Sequence, residues 1–199
     1  MTLLLASASP ARLSTLRAAG IEPEVVVSAV DEPAVLAAAG PVSPAEAVLV
    51  LARAKARDVA AGRPGALVLG CDSMLELDGQ VLGKPADAAD AVARWRQMRG
   101  RTAVLHTGHW LISAGGERGA TSSTTVHFAQ VTDPEIAAYV ATGEPLHVAG
   151  AFTIDGLGGP FITGIEGDHH GVVGLSLPLL RDLLGQAGLS ITDLWNRGR

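Results

Sequence analysis

Cysteine is almost missing from this chain: Cys71 stands alone among 199 residues. An intramolecular disulfide and a cysteine-cluster zinc site are therefore excluded. Aromatic residues make up only 4%, and alanine, glycine and valine fill much of the space they leave. Positive charge is in deficit, with 15 Lys and Arg against 20 Asp and Glu and a net charge of −5. A nucleic-acid polymer needs clustered cations, so none is expected as a partner, whereas a few placed cations suffice for one small anion. No apolar run is long enough to span a bilayer. The opening Met1-Thr2-Leu3-Leu4-Leu5-Ala6 lacks a basic flank and soon meets Pro10 and Arg12. It reads as a buried strand rather than a signal peptide, and the expectation is a cytoplasmic protein with no membrane partner. Several catalytic signatures are also missing: a Walker P-loop, a Gly-x-Gly-x-x-Gly after a strand, and a Gly-x-Ser-x-Gly elbow.

What is present is an alternation of short apolar runs and capped helices, which predicts an α/β class in a single domain over residues 1–199. Strands are expected at Thr2 to Ala6, Val25 to Ser28 and Ala66 to Gly70, and a facing pair at Thr102 to Ser113 and Thr121 to Val131. Ser9-Pro10 opens a helix that Gly20 closes. Ser43-Pro44-Ala45-Glu46 is a capping box for a helix reaching about Ala61, and Thr132 to Glu135 is a second box. Asp78-Gly79 between Leu77 and Val81 predicts a hairpin turn. Helices are also expected from about Asp87 to Arg99 and from near Ser176 to Gly185. The tail from about Leu189 is expected to fray.

Four clusters carry the candidate chemistry. Ser7-Ala8-Ser9-Pro10-Ala11-Arg12 joins a strand to a helix N-terminus, where free N–H groups and Arg12 favour an anion. Asp31-Glu32, after a strand, offers oxygen ligands for a divalent cation. Asp72, in Gly70-Cys71-Asp72-Ser73, stands at the end of an apolar run. The ends of parallel strands line the crevice of α/β proteins, where a carboxylate serves as metal ligand or general base. Lysine is scarce, and Lys55 and Lys84 are both placed to neutralise phosphate oxygens. Taken singly, each cluster has an ordinary reading as a cap, a solvated loop, an Asx turn or a surface lysine. The histidines, including His106, His109 and His169-His170, lack zinc-motif spacing and read as structural or solvated.

The order of these pieces is more specific than any one of them. Leu-Ala-Ser-Ala-Ser-Pro-x-Arg at 5–12, Val-Asp-Glu at 30–32, Leu-Ala-x-x-Lys-Ala at 51–56, Gly-x-Asp-Ser at 70–73 and Leu-Gly-Lys-Pro at 82–85 follow in sequence. Glu-Pro-Leu-His-Val-Ala-Gly-Ala-Phe at 144–152 and Gly-Leu-Ser-Leu-Pro at 174–178 come after them. Together, from Leu3 to about Leu184, they resemble the Maf family of nucleoside triphosphate pyrophosphatases, once named as septum-formation inhibitors.

The resemblance implies an elongated mixed sheet flanked by helices, like that of inosine triphosphate pyrophosphatases, with a nucleotide cleft between two lobes. It implies hydrolysis of a nucleoside triphosphate to monophosphate and pyrophosphate with Mg²⁺ or Mn²⁺, and a homodimer, for which no sequence stripe marks an interface. On these terms Asp72 is the proton acceptor, and Glu32 and Asp72 form the metal site. Lys55 and Lys84 are catalytic cations, and Ser7, Ser9 and Arg12 bind phosphate. Ser73 and Asp155 fall at base-selecting positions but fit neither of the family's two base branches, so no base is assigned. Asp168 matches an acidic position near the cleft. Relatives often carry adjacent arginines where this chain has Ala11-Arg12, which implies either weaker triphosphate binding or compensation by Arg17 or a lysine. A non-catalytic nucleotide-binding regulator of septum formation is the second reading. A nucleotidyltransferase, which would release pyrophosphate only with an acceptor present, is the third.

Overall fold

The computed structural model describes residues 1–196. Seven strands, β1 (Leu3–Ala6), β2 (Glu24–Val25), β3 (Leu67–Leu77), β4 (Gln80–Leu82), β5 (Thr102–Ser113), β6 (Gly116–Phe128) and β7 (Ile162–Glu166), form one sheet. Its order is β2-β1-β3-β5-β6-β7, with β4 paired to β3. β1 pairs in parallel with β2 and β3, and the other pairings are antiparallel. The helices are α1 (Pro10–Ala18), α2 (Glu32–Ala39), α3 (Pro44–Ala60), α4 (Ala88–Met98), α5 (Asp133–Ala141), α6 (His169–Val173) and α7 (Leu177–Gln186). The expected class, an elongated mixed sheet with helices around it, is the one seen.

Local chemistry explains most of these elements. In the α3 capping box Ser43 Oγ accepts from the Glu46 N–H (3.3 Å) and Glu46 Oε2 accepts from the Ser43 N–H (2.9 Å). Asp78 and Gly79 both take positive φ (52° and 78°), as a two-residue turn between β3 and β4 requires.

Three apolar clusters hold the sheet. Leu3, Leu5, Leu69 and Leu111 face Leu16 of α1 and Leu180, Leu183 and Leu184 of α7. Leu4, Ala6 and Val68, on the opposite face, meet Ala56 and Val59 of α3. At the far end, Leu75, Leu105, Val126 and Phe128 pack against α4 and α5. The scarce aromatics are concentrated there. Trp95 stands edge-on to Phe128, Tyr139 and Phe161 at 5.5–5.7 Å between ring centroids. Such T-shaped pairs add to what burial alone contributes.

Two glycines let α3 lie directly on the sheet. A Cβ at Gly70 would stand 2.2 Å from the Ala52 carbonyl oxygen, and one at Gly108 would stand 2.3 Å from that of Val48. Gly70→Ala must lift the helix, and overpacking of this kind costs about 1–3 kcal/mol. Lys55 rides on that helix, so activity should fall together with the urea midpoint of the variant. An unchanged midpoint would show that the helix is free to shift.

Four expectations need correction. β3 does not stop at Gly70 but runs to Leu77, because β5 pairs with it as far as Glu76. Asp31 and Glu32 do not follow a strand directly: Asp31 caps α2 by accepting from the Ala34 N–H (3.1 Å), and Glu32 is its first residue. β2 is shorter than expected, covering Glu24–Val25 only. The tail from Leu189 is tied down as far as Asn196. A 3-10 turn at Ile191–Leu194 buries Leu194, Trp195 bridges to Ile21, and the Asn196 N–H donates to the Gly20 carbonyl at 2.9 Å. Residues 197–199 lie outside the described residues.

Candidate active site

β1 ends where the site begins. Its register with β3 runs from Leu3↔Leu67 to Ala6↔Gly70 and stops there. β3 continues without its parallel neighbour, and the space β1 vacates becomes a cleft of about 830 Å³. Volumes of this size suit nucleotide-sized ligands. Asp72 is therefore mid-strand in β3, yet it stands at the end of β1, and the crevice rule holds for that strand instead.

The polar end of the cleft brings together most of the residues singled out by sequence. Lys55, on α3, reaches Asp72 Oδ1 at 2.6 Å and Glu32 Oε1 at 2.7 Å. The Lys55 and Asp72 side chains are only 12% and 11% exposed, whereas that of Glu32 is 48% exposed. Burial raises the Asp72 carboxyl above its ordinary range, and the Lys55 and Arg12 charges only partly offset it. Lys55 uses Oδ1, so Oδ2 keeps no protein donor among the described residues.

Arg12 forms the floor beside them and is itself buried. Its Nε donates to the Gly174 carbonyl (2.8 Å), Nη1 to Ser7 Oγ (3.0 Å) and Nη2 to Ser73 Oγ (3.1 Å). Ser7 Oγ also accepts from the Ser9 N–H (3.2 Å), which leaves its own hydroxyl proton for a ligand. Ser9 caps α1 by accepting from the Arg12 N–H at 3.5 Å. Ser73 is directed differently. Thr107 donates to the Gly171 carbonyl (2.8 Å), so it must accept from Ser73 at 2.9 Å. Ser73 thus accepts from Arg12 and spends its proton on Thr107. It orders the guanidinium, and its donor does not face the cleft.

Lys84 is exposed, lines the cleft and makes no ion pair among the described residues. Asp155 is also exposed and lines the same cleft. The loop that carries it is tied to Glu144, whose carboxylate accepts from the Leu157 N–H (3.0 Å), the Gly158 N–H (3.1 Å) and Tyr139 Oη (2.9 Å). Much of the remaining lining is aliphatic: Val27, Val81, Leu105, Val148, Ile154 and Val172, with Phe152.

Two expected contributors lie elsewhere. Arg17 pairs with Glu22 at the surface (2.6 Å) and is not part of the cleft, so it does not replace an arginine at Ala11. Asp168 is the cap of α6, accepting from the His170 and Gly171 N–H groups (3.2 and 2.8 Å), and does not line the cleft. His109 is structural: it is fully buried, receives the Ser176 N–H on Nε2 (2.8 Å) and donates from Nδ1 to the Thr107 carbonyl (3.0 Å). Burial pushes the Cys71 thiol up to about 12, which keeps it an inert core residue.

Sequence reasoning missed Thr107, Glu144 and the carbonyl of Gly174. Thr107, inside a strand, has no local signal, whereas Glu144 and Gly174 open the 144–152 and 174–178 motifs, whose order marked them without giving a role. His147 also lines the cleft, and its place beside Val148 in the 144–152 motif was the available signal.

The donor set suits a hard divalent cation. Glu32 and Asp72 converge on one nitrogen at 2.7 and 2.6 Å, so both carboxylates reach one small volume. Among the described residues no group of three or more His, Cys, Asp or Glu side chains could enclose a metal. Two carboxylates completed by substrate phosphates and water is the usual arrangement for Mg²⁺.

Known proteins share this chain's sequence over nearly its whole length. A nucleoside triphosphate pyrophosphatase of Streptomyces coelicolor is 62% identical over 198 residues, covering 97% of this chain and 94% of that protein. One from Salinispora tropica is 61% identical over 205 residues, covering 100% and 89%. Among solved structures, a nucleoside-triphosphatase, dITP/XTP pyrophosphatase, of Mycobacterium abscessus overlaps 66% of this chain and 74% of its own. The identity is 20% and the TM-score 0.39. The family profile described as Maf-like protein matches residues 2–187. With that match and those identities, the chain belongs to the Maf-like protein family.

Proposed function

We propose that this chain hydrolyses nucleoside triphosphates, including non-standard or modified ones, to the monophosphate and pyrophosphate in the cleft at the end of β1. The observation that carries the reading is the buried Asp72 carboxylate held against Lys55 and Glu32, beside a ring of phosphate donors. The names of the 61–62% identical relatives point the same way. A binding protein without catalysis needs no proton acceptor beside its phosphate site, and burying a carboxylate there costs free energy.

The chain's own groups divide the work. Ser7, Arg12 and Lys84 meet the triphosphate, and the aliphatic wall takes the base, with Asp155 at its rim. Glu32 and Asp72 would hold Mg²⁺ or Mn²⁺, which supplies charge neutralisation for the phosphates and polarises bound oxygen. Asp72 Oδ2 accepts a proton from a water molecule as its oxygen forms the bond to the α-phosphorus. The α–β anhydride bond breaks, and pyrophosphate leaves toward Lys84 and Arg12. Lys55 keeps the two carboxylates together and offsets their repulsion. Positioning and electrostatics supply most of the rate.

The test is a product assay with a panel of standard and modified nucleoside triphosphates and Mg²⁺ or Mn²⁺. Monophosphate and pyrophosphate in equal amounts, with no acceptor added, are expected. Diphosphate and phosphate would move the attack to the γ-phosphorus. Pyrophosphate only in the presence of an acceptor would make the protein a nucleotidyltransferase. Nucleotide binding with no turnover would favour the regulator and implicate Ala11.

A further inference from the structure

Lys84 has to meet a phosphate oxygen from an exposed position, on a loop with no secondary structure between β4 and α4. A lysine is a point charge on a flexible stem, so its backbone must be fixed for its ammonium to be of use. That fixing comes from α4. Asp90 and Arg94 are one turn apart on it and form a side-on pair. Nε meets Oδ1 at 3.1 Å, and Nη2 meets Oδ2 at 2.8 Å. The remaining guanidinium nitrogen, Nη1, donates to the Gly83 carbonyl at 2.6 Å. Asp90 Oδ2 accepts the Ala86 N–H at 2.9 Å. The pair therefore holds the backbone on both sides of Lys84-Pro85. Arg94 and the Ala86 N–H also keep the Asp90 carboxyl below its ordinary range, so the pair stays charged.

The same helix also grips a second loop that lines the cleft. The Gly83 carbonyl receives a second donor, the Gly150 N–H, at 3.1 Å. Trp95, next to Arg94, donates its indole N–H to the Ala151 carbonyl at 2.7 Å. Ala151 needs that grip because its φ is +56°, a conformation non-glycine residues adopt at a cost. Phe152 and Asp155 follow directly in the chain. Contacts from α4 thus set the lysine loop and the base-side loop at a fixed spacing.

We propose that Asp90 and Arg94 are positioning residues of the nucleotide site, acting through Lys84 and touching no substrate themselves. The proposal rests on the reading of Lys84 as a triphosphate contact. A displacement of about an ångström at such a contact is enough for a large loss of rate.

A double-mutant cycle tests it. Arg94→Met, Asp90→Ala and Lys84→Met are compared with each combination of a clamp variant and Lys84→Met. The readouts are kcat/KM, the Kd of a non-hydrolysable α,β-methylene nucleotide, and Tm. Each clamp variant is expected to lose about tenfold in kcat/KM in the native background and less than twofold when Lys84 is already methionine, since residues acting through one contact do not add. The nucleotide Kd should weaken in the same non-additive way. Equal losses in both backgrounds would show a general structural role and overturn the proposal. So would clamp variants that keep activity within twofold of the parent. Should Arg94→Met fail to fold, Asp90→Ala, on a half-buried helix turn, carries the same comparison. A Lys84→Met variant with full activity would instead remove the reading of Lys84 on which the proposal stands.

Discussion

Asp72→Asn is expected to lower kcat about a hundredfold or more, the range for removing a general base. The substitution is close to isosteric. Its amide oxygen still accepts from Lys55, which now stands 2.6 Å from Oδ1, so the fold and the position of α3 should survive. What disappears is the acceptor at Oδ2 and one of the two negative charges in the acidic site. Glu32→Gln separates these losses. Glu32 is half-exposed on the first turn of α2 and has no place in proton transfer. Its variant should lose metal affinity and recover much of its rate as Mg²⁺ or Mn²⁺ is raised. Asp72→Asn should not recover. Near-normal turnover by Asp72→Asn at any metal concentration would remove Asp72 from proton transfer.

The Lys55 contact has a second consequence for such experiments. Removing the lysine leaves Asp72 buried without its nearest counter-charge, and one half of a buried ion pair is costly to keep charged. Loss of activity in a Lys55 variant would therefore mix chemistry with stability. Asp72→Asn is the cleaner variant because it removes the buried charge rather than its partner.

The legible parts of this protein were those with a local cause. The Ser43–Glu46 box, the Asp78-Gly79 turn and the start of α4 near Asp87 each rest on residues within four positions of one another, and all three are seen. The length of β3 was not legible. Gly70-Cys71-Asp72-Ser73 looks like a turn, because an aspartate and a glycine interrupt an apolar run. The strand persists because each of those residues has a distant reason: Gly70 admits α3, Asp72 meets Lys55, and Ser73 meets Arg12 and Thr107. β7 and α6 were missed for a similar reason. Ile162–Glu166 is short and pairs only with the end of β6, and α6 has five residues held by the Asp168 cap. In the site, the ordered motifs pointed to Glu32, Lys55, Asp72 and Arg12, which the fold gathers at one end of one cleft. The residues that orient them, Thr107, Asp90, Arg94 and Glu144, act through contacts that no spacing in the sequence records.

Acid should destabilise the protein through His109, although that residue takes no part in the chemistry. Burial, reinforced by the Arg12 charge and opposed by the Thr107 hydrogen bond and Asp168, pushes its pKa from 6.5 down to about 4. Both ring nitrogens are committed, Nδ1–H to the Thr107 carbonyl and Nε2 to the Ser176 N–H, so a proton on Nε2 would face another N–H at 2.8 Å. As pH falls below 6.5 the unfolded chain binds the proton and the folded chain does not, until the pH reaches about 4. The stabilisation is complete above pH 6.5 and is lost on the way down. At about 1.4 kcal/mol per pH unit, the loss reaches about 3 kcal/mol over that interval. Urea titrations between pH 7 and 4 should show it. His109→Gln, whose amide can serve both partners without titrating, should show a slope shallower by close to one proton. Equal slopes would mean that His109 is already protonated in the fold. The Ser176 N–H would then have lost its acceptor, two residues from the Gly174 carbonyl that Arg12 holds.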